Sequence, residues 1–284
     1  MDAPLYLARL RVVLRSHGFE LAGPRGNAFH GGLGLCLKAL APEVFDRCFA
    51  PQQDASWPRP YVLLPPLESR SLFMPGDSLN LELTLFNEAI ADWPAFIAAL
   101  AELGHRGVGQ ARGRYGLSAV WHVTPEQDEL LWLPEHGPLP VLPGLELAAF
   151  HAPDRRVDRL RVEFITPLRL KARGDYQREA PSAFLLAERT LTRLSQLTQT
   201  PLPPPLRESL AACPVQLVQS QLQWQDTPRW SSRQQHVMPF GGLLGEVEYA
   251  GELSTLYPWL HLAQWLHLGG KTTFGLGALR VQVV

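Results

Sequence analysis

An α+β fold made of two consecutive β-α-β-β-α-β units is what this sequence predicts. Three observations lead there. The chain has 284 residues with 46% hydrophobic content, enough for two cores of ordinary domain size. Short runs with apolar residues at every second position recur along it, the clearest being Leu79–Phe86 (LNLELTLF). Between these runs lie segments with apolar residues at helical spacing, and the order of the two kinds repeats once.

Taken from the start, Leu5–Leu14 alternates loosely and predicts the first strand. Gly23, Pro24 and Gly26 then break the chain, and Phe29–Leu40 has the spacing of a helix despite three glycines near its start. Pro42 can open a second short helix, PEVFDRCF, because a proline is tolerated in a first turn. Tyr61–Leu64 and Leu79–Phe86 are strands. Trp93–Leu103 is an amphipathic helix stopped by Gly104, and Leu117–Val123 closes the first unit as a strand. Residues 124–156 are rich in proline and acids and read as a peripheral strand plus linker. The order then repeats. Leu160–Leu170 is a strand interrupted by Pro167 and Pro181–Leu197 a helix. Gln216–Gln225 and Leu243–Tyr249 are strands, Leu256–Leu268 a helix, and Thr273–Val284 the final strand. Each half follows the split β-α-β order of the ferredoxin-like (RRM-like) fold, with domains over 1–152 and 153–284.

Composition narrows the function classes. The net charge of −1 argues against a coat of positive charge for nonspecific nucleic-acid binding. The distribution is uneven: residues 151–284 carry +4 and residues 1–150 carry −5, which is either chance asymmetry or, if nucleic acid binds, a sign that the second half holds more of the phosphate contacts. Cys36, Cys48 and Cys213 show no CxxC or Cys/His zinc spacing, which predicts free thiols in a reduced compartment and no metal site. There is no basic-then-apolar leader at the N-terminus and no run of membrane-spanning length, so a cytoplasmic protein without a membrane partner is expected. No cofactor motif is present. Although Gly270-Lys271-Thr272 matches the end of a phosphate-binding NTPase loop, the glycine that motif needs five positions earlier is Trp265. The loop also runs from helix to strand rather than from strand to helix.

The most informative segment is Leu266–Leu279 (LHLGGKTTFGLGAL). Gly269, Gly270, Gly275 and Gly277 surround Lys271, Thr272 and Thr273. Glycines let successive backbone N–H groups face a phosphate, while the lysine and threonines add charge and hydroxyl donors. Without more, the segment could equally be a turn that lets a helix and a strand pack. A second stretch, RWSSRQQH, combines Trp230 and Arg233 with amides and His236, a composition suited to stacking on unpaired RNA bases and to phosphate contact, or to an irregular surface loop.

HLGGKTTFGLGALRV resembles the C-terminal glycine-rich loop of the CRISPR repeat-RNA endoribonucleases of the RAMP superfamily. Further stretches resemble the same family in the same order: PRPYVLLPP with MPGDSLNLELTLFNEAI, LGHRGVGQARGRYGLSAV, RVEFITPLRLKARG and SSRQQHVMPFGGLLGEVEYAGEL. The resemblance implies tandem ferredoxin-like domains and metal-independent cleavage of precursor CRISPR RNA. It implies a crRNA hairpin as ligand and subunits of a CRISPR effector complex as further partners. Two departures stand out. The residue after the last loop glycine is Ala278 rather than basic or aromatic, and the histidine many relatives place near Phe49 is absent, since none lies between His30 and His105.

Such cleavage needs the 2′-hydroxyl deprotonated and the leaving 5′-oxygen protonated. Histidine suits this because its pKa lies near neutrality. Of nine histidines, His30 is favoured: it stands at the glycine-rich head of the first helix, which the resemblance sets against the final loop. At a helix start the macrodipole would favour the neutral imidazole that a general base requires. Arg25 and Lys38 flank it as candidates for stabilising transition-state charge, or as plain solvated side chains. His236 and His267 are the next candidates, and His261 reads as structural. Two functional readings stay open: an endoribonuclease giving a 2′,3′-cyclic phosphate and a 5′-hydroxyl, and a catalytically inactive subunit that only holds the crRNA hairpin. A third, a general RNA-binding module of RRM type, lacks the aromatic motif such modules carry.

Overall fold

The computed structural model describes residues 4–49, 57–172, 174–201, 203–226, 228–231 and 236–284. The chain separates into two compact units, Leu5–Glu146 and Leu147–Val284. Both are ferredoxin-like.

In the first unit β1 (Tyr6–Glu20) leads to α1 (Arg25–Leu40) and α2 (Pro42–Cys48). Then come β2 (Tyr61–Leu64), β3 (Leu72–Phe86), α3 (Trp93–Arg106), β4 (Tyr115–Val123) and β5 (Asp128–Trp132), with the short β6 (Leu145–Glu146) last. The sheet order is β2-β3-β1-β4-β5 with antiparallel pairing, and β6 adds to the start of β1. Alternation decides the faces. Leu10, Val12 and Leu14 of β1 and Leu79, Leu81, Leu83 and Leu85 of β3 point into one core with Phe29, Leu33 and Leu37 of α1 and Phe96 and Leu100 of α3. Each such side chain contributes roughly 1.5–3 kcal/mol through burial. The opposite face of β1 carries Arg9 and Arg11, which meet Glu82 and Asp128; the Arg11–Asp128 pair is 2.5 Å.

The second unit repeats the order: β7 (Arg159–Leu168), a small hairpin of β8 (Lys171–Ala172) and β9 (Asp175–Tyr176), α4 (Ala183–Thr198), α5 (Pro204–Ala211) and β10 (Val215–Gln225). A second hairpin of β11 (Pro228–Ser231) and β12 (His236–Pro239) follows, then β13 (Gly242–Gly251), α6 (Tyr257–Leu266) and β14 (Leu279–Val283). Its sheet order is β10-β13-β7-β14. Leu160, Val162 and Phe164 are buried with Leu186 and Leu194 of α4 and Leu260 and Leu266 of α6. The outer sheet face pairs its charges internally, Arg159 and Arg161 with Glu248 and Arg280 with Glu163.

Several elements differ from the sequence expectation, each for a visible reason. α3 does not stop at Gly104 but runs to Arg106 and ends at Gly107, whose φ is +91°. Gly104 serves close packing instead, since a Cβ there would lie 2.3 Å from the Tyr115 carbonyl oxygen. β7 is not interrupted at Pro167. By that point β14 has ended its pairing, so no ladder bond is lost for want of an N–H. The final strand begins at Leu279, not Thr273, because Thr272–Phe274 form a 3-10 turn. α1 begins at Arg25, four residues before the predicted start, and α5 carried no clear sequence signal. No helix among the described residues is long and apolar enough to cross a membrane.

His122 on β4 is only 3% exposed and its Nε2 has no partner, so burial holds its pKa below the usual histidine value despite Glu129 nearby. The folded chain therefore keeps this imidazole neutral at a pH where the unfolded chain binds a proton. Stability should be level above about pH 7 and fall as pH drops through the unfolded value of about 6.5. Urea midpoints between pH 8 and 5 check this: His122→Gln should flatten the acid-side decline, and coincident profiles would show that another group causes it.

Candidate functional site

The glycine-rich loop is built by its own backbone. α6 ends at Leu266, and His267 follows with φ 56° and ψ 151°, turning the chain out of the helix. The Leu268 amide donates to the Gly277 carbonyl at 2.9 Å, the Gly270 amide to Arg169 at 2.9 Å and the Gly277 amide to Pro167 at 3.2 Å. Gly269 and Gly277 adopt φ of +79° and +76°. A Cβ on them would lie 2.3 Å from the Arg169 oxygen and 1.8 Å from the Leu268 oxygen. Gly269 thus serves close packing on the backbone just beyond β7, and Gly277 close packing between the two ends of the loop itself. The exposed tip is Gly270 and Lys271, the latter in the left-handed region at φ 67°. Gly275, also at positive φ, is buried.

Thr272 and Thr273 are buried, contrary to the expectation that their hydroxyls stand ready as surface donors. The Thr272 Oγ1 accepts from Nη2 of Arg193 at 3.3 Å. Their amides head the 3-10 turn, and no backbone acceptor takes them among the described residues. His267, 3% exposed, has Nδ1 3.2 Å from the Leu276 carbonyl and is a structural part of the loop.

Beside the loop, cations and aromatic rings interleave. The Arg169 guanidinium lies 4.0 Å from the Tyr176 ring centroid and donates to the Gly241 carbonyl at 3.2 Å. Lys171 Nζ lies 5.2 Å from the same ring, and Arg178 stands 4.6 Å from Trp224. Phe240 packs edge-on against Phe274 of the loop. Sequence reasoning missed Arg169, Lys171, Tyr176 and Arg178. They belong to RVEFITPLRLKARG and its sequel, and only the antiparallel β8–β9 hairpin brings Lys171 opposite Tyr176. Trp230 lies on β11, with its side chain outside the described residues; Arg233 lies outside them altogether, and the side chain of His236 does too.

In the first unit His30 is not at the helix head. It is the sixth residue of α1, past the first turn, where the macrodipole effect has faded. Its surroundings are aromatic instead. Nδ1 is 3.1 Å from the Tyr61 hydroxyl, and the imidazole stacks on Phe49 with ring centroids 5.0 Å apart. Phe49 in turn stacks on Tyr61 at 4.9 Å and on Phe45 at 5.6 Å. Tyr61 is fully buried and His30 half-buried. Tyr61 was read only as a strand residue, since nothing local in YVLL marks its hydroxyl as a histidine partner.

Arg25 is engaged elsewhere. It donates to the carbonyls of Pro66, at 3.0 Å, and of Arg70, lies 3.6 Å from Glu68 and stacks over Phe73. Burial lowers its pKa, with Glu68 opposing and Arg70 assisting. It clamps the loop before β3, a structural role that the expectation of a catalytic cation did not foresee. Lys38 is exposed, its Nζ 5.8 Å from the Phe45 ring, at the far edge of the stack that holds His30. Among the described residues no three His, Cys, Asp or Glu side chains converge as metal ligands would.

Two ferredoxin-like units, the second closed by a glycine-rich loop, define a two-domain α+β protein. Residues 162–279 match the family model described as CRISPR-associated endoribonuclease Cas6, and residues 4–142 match the AF_1859_N N-terminal domain model. Residues 162–279 thus carry the domain of the CRISPR-associated Cas6 endoribonucleases. No curated protein matches it by sequence. Among solved structures, the fold is similar to Thermus thermophilus Cas6 (TTHB231), with TM-score 0.62, 17% identity and coverage of 98% of this chain and 99% of that one. A Cas6 (TTHA0078) product complex gives 0.58 and 22%, covering 98% and 99%. A chain of a partial Cas6-RT-Cas1–Cas2 complex gives 0.62 and 14%, covering 99% of this chain and 47% of that one.

The close approach at Gly277 has a direct test. Gly277→Ala should lower stability by roughly 2 kcal/mol or more, from the left-handed backbone and the clash with Leu268 together. Gly31→Ala, where a Cβ meets nothing within 4 Å, should be neutral or stabilising. Equal melting temperatures for the two variants would contradict this account of the loop.

Proposed function

We propose that this chain is a metal-independent endoribonuclease that cleaves CRISPR repeat RNA. The 2′-oxygen attacks the adjacent phosphorus and the bond to the 5′-oxygen breaks, leaving a 2′,3′-cyclic phosphate and a 5′-hydroxyl. One proton leaves the 2′-hydroxyl and one is delivered to the departing oxygen. The observation that carries the reading is the His30 imidazole held by the Tyr61 hydroxyl at 3.1 Å and stacked on Phe49. Phe49 marks the place where the family resemblance puts a histidine that this chain lacks. An imidazole 5.0 Å from that ring supplies the missing group from the neighbouring helix. His30 is the proton-transfer residue, and Tyr61 fixes the plane of its ring.

In this proposal residues 153–284 form the RNA-binding domain and residues 1–152 the domain bearing the imidazole. Lys271 at the exposed loop tip contacts the RNA backbone with Gly270, while Arg169, Lys171 and Tyr176 offer stacking and charge beside it. The ligand is the hairpin-bearing repeat, with other CRISPR subunits as further partners. The second reading, a binding subunit without cleavage, is favoured by one observation: Arg25 is committed to the 66–70 loop rather than to the imidazole.

Cleavage of repeat RNA by the purified chain should proceed equally with and without EDTA. His30→Ala should slow single-turnover cleavage by roughly 10²–10⁴ and leave binding within about tenfold. Tyr61→Phe, which keeps the ring stack, should slow it less and shift its pH profile. A strict need for a divalent ion would overturn the mechanism, and wild-type binding without cleavage would select the second reading.

Lys271→Ala should weaken repeat-RNA binding and make its salt dependence shallower, as expected for the loss of one phosphate contact. Filter binding over a salt series measures both. An unchanged affinity and slope would reduce the loop tip to a packing turn.

A further inference from the structure

The helix α4 places Arg189 and Arg193 one turn apart on the same face. Arg193 is 8% exposed, and its Nη2 donates to Thr272 of the glycine-rich loop at 3.3 Å. Its Nε is enclosed and has no partner. Arg189 repeats the pattern: Nη2 donates to the Lys171 carbonyl at 2.8 Å, and Nε is buried without a partner. A guanidinium carries five N–H donors, and in each of these arginines the Nε donor is buried and unmet. No carboxylate pairs with either arginine or with Lys171 among the described residues. Glu188, the acid between them on α4, is held by Arg207.

A buried cation without a counter-charge is costly, and unmet buried donors are rare enough in native folds to require a reason. Packing supplies none here. The outer sheet faces of both units show that this chain pairs its arginines with acids where charge serves structure alone. Burial alone lowers the Arg193 pKa to about 10, with no acid acting on it, so the group is still a cation at neutral pH. The loop above it adds the Thr272 and Thr273 amides, which have no backbone acceptor among the described residues. The group missing from this arrangement is an anion with several acceptor oxygens.

We propose that Arg193 and Arg189, with the Thr272–Thr273 turn, form a subsite for one phosphodiester of the bound RNA, behind the contact made by Lys271. The proposal rests on the RNA-binding reading given above and adds the residues that take the phosphate. Guanidinium suits the role because its planar fork matches two phosphate oxygens at once. The Thr272 hydroxyl then orients the fork rather than contacting RNA itself.

The test compares the full-length wild type with Arg193→Met, Arg193→Lys, Arg189→Met and Thr272→Val. Each is assayed for repeat-RNA binding over a salt series and for thermal stability with and without inorganic phosphate. Arg193→Met should lose roughly tenfold or more in affinity and reduce the salt slope by about 0.7, the value for one phosphate on a single strand. Without ligand it should melt no lower than wild type, since it removes a charge lacking a counter-ion. Arg193→Lys should keep most of the slope, while Thr272→Val, which frees the Arg193 fork, and Arg189→Met should each lose part. Arg193→Met with lower ligand-free stability and an unchanged slope would make Arg193 a structural pin for Thr272 and overturn the proposal. Stabilisation of wild type by inorganic phosphate, with RNA slopes unaffected by Arg193→Met, would assign the subsite to free anions and overturn it equally. Failure of the wild type itself to bind RNA would instead overturn the functional reading beneath it, a result distinguishable from both.

Discussion

The hold of β7 on the glycine-rich loop is the constraint from which the second unit's surface follows. The carbonyls of Pro167 and Arg169, at and just beyond the end of that strand, accept from Gly277 and Gly270. Beside these bonds the Arg169 carbonyl approaches Gly269, and the Leu268 carbonyl approaches Gly277, more nearly than a Cβ permits, which is why glycine stands at both places. With the two ends pinned, the intervening residues have little freedom. Lys271 is forced into the left-handed region and outward, Thr272 and Thr273 inward, and Phe274 against Phe240. The same strand end carries Arg169, so the loop and the cation beside Tyr176 are placed by one piece of backbone.

That geometry explains how a chain of net charge −1 can serve a polyanion. Whole-chain charge averages over arginines that acids already neutralise on the sheet faces, such as Arg11 with Asp128 and Arg280 with Glu163. What a phosphate meets is the local balance. Around the loop, Lys171, Arg189 and Arg193 have no carboxylate partner among the described residues, and close charges in partly buried surroundings are screened little by salt. The +4 excess of residues 151–284 could not show which of its fifteen basic residues lack an acidic partner among the described residues.

The order and kind of the main elements were legible because alternation and helical spacing report directly on which face is buried. Tyr61–Leu64 and Pro42–Cys48 fall where the pattern puts them. Ends were less legible, because glycine and proline have two meanings. Gly104 and Pro167 look like stops, yet one is a packing site within a helix and the other lies past the end of its neighbour's pairing. The glycine-rich loop stood out, whereas the residues around it did not. Arg193 reads as one more polar position of an amphipathic helix, and its contact with Thr272 spans 79 residues of sequence. Tyr61 and His30 are 31 residues apart on a strand and a helix, and local pattern carries no signal for their hydrogen bond.

The first unit shows the same limit acting on chemistry. From sequence, the missing histidine near Phe49 weighs against catalysis, because a role is attached to a position. In the proposed reading proton transfer depends on where an imidazole lies rather than on which position carries it. α1 passes close enough for His30 to stack on Phe49, while β2 brings the Tyr61 hydroxyl to its Nδ1. A ring held by a hydrogen bond at its edge and a stack on its face has lost most of its rotational freedom before any substrate arrives. That preorganisation is what general acid–base catalysis requires of its residue. Under the proposed function it also gives a reason for a half-buried histidine among phenylalanines, where packing alone would favour another apolar side chain.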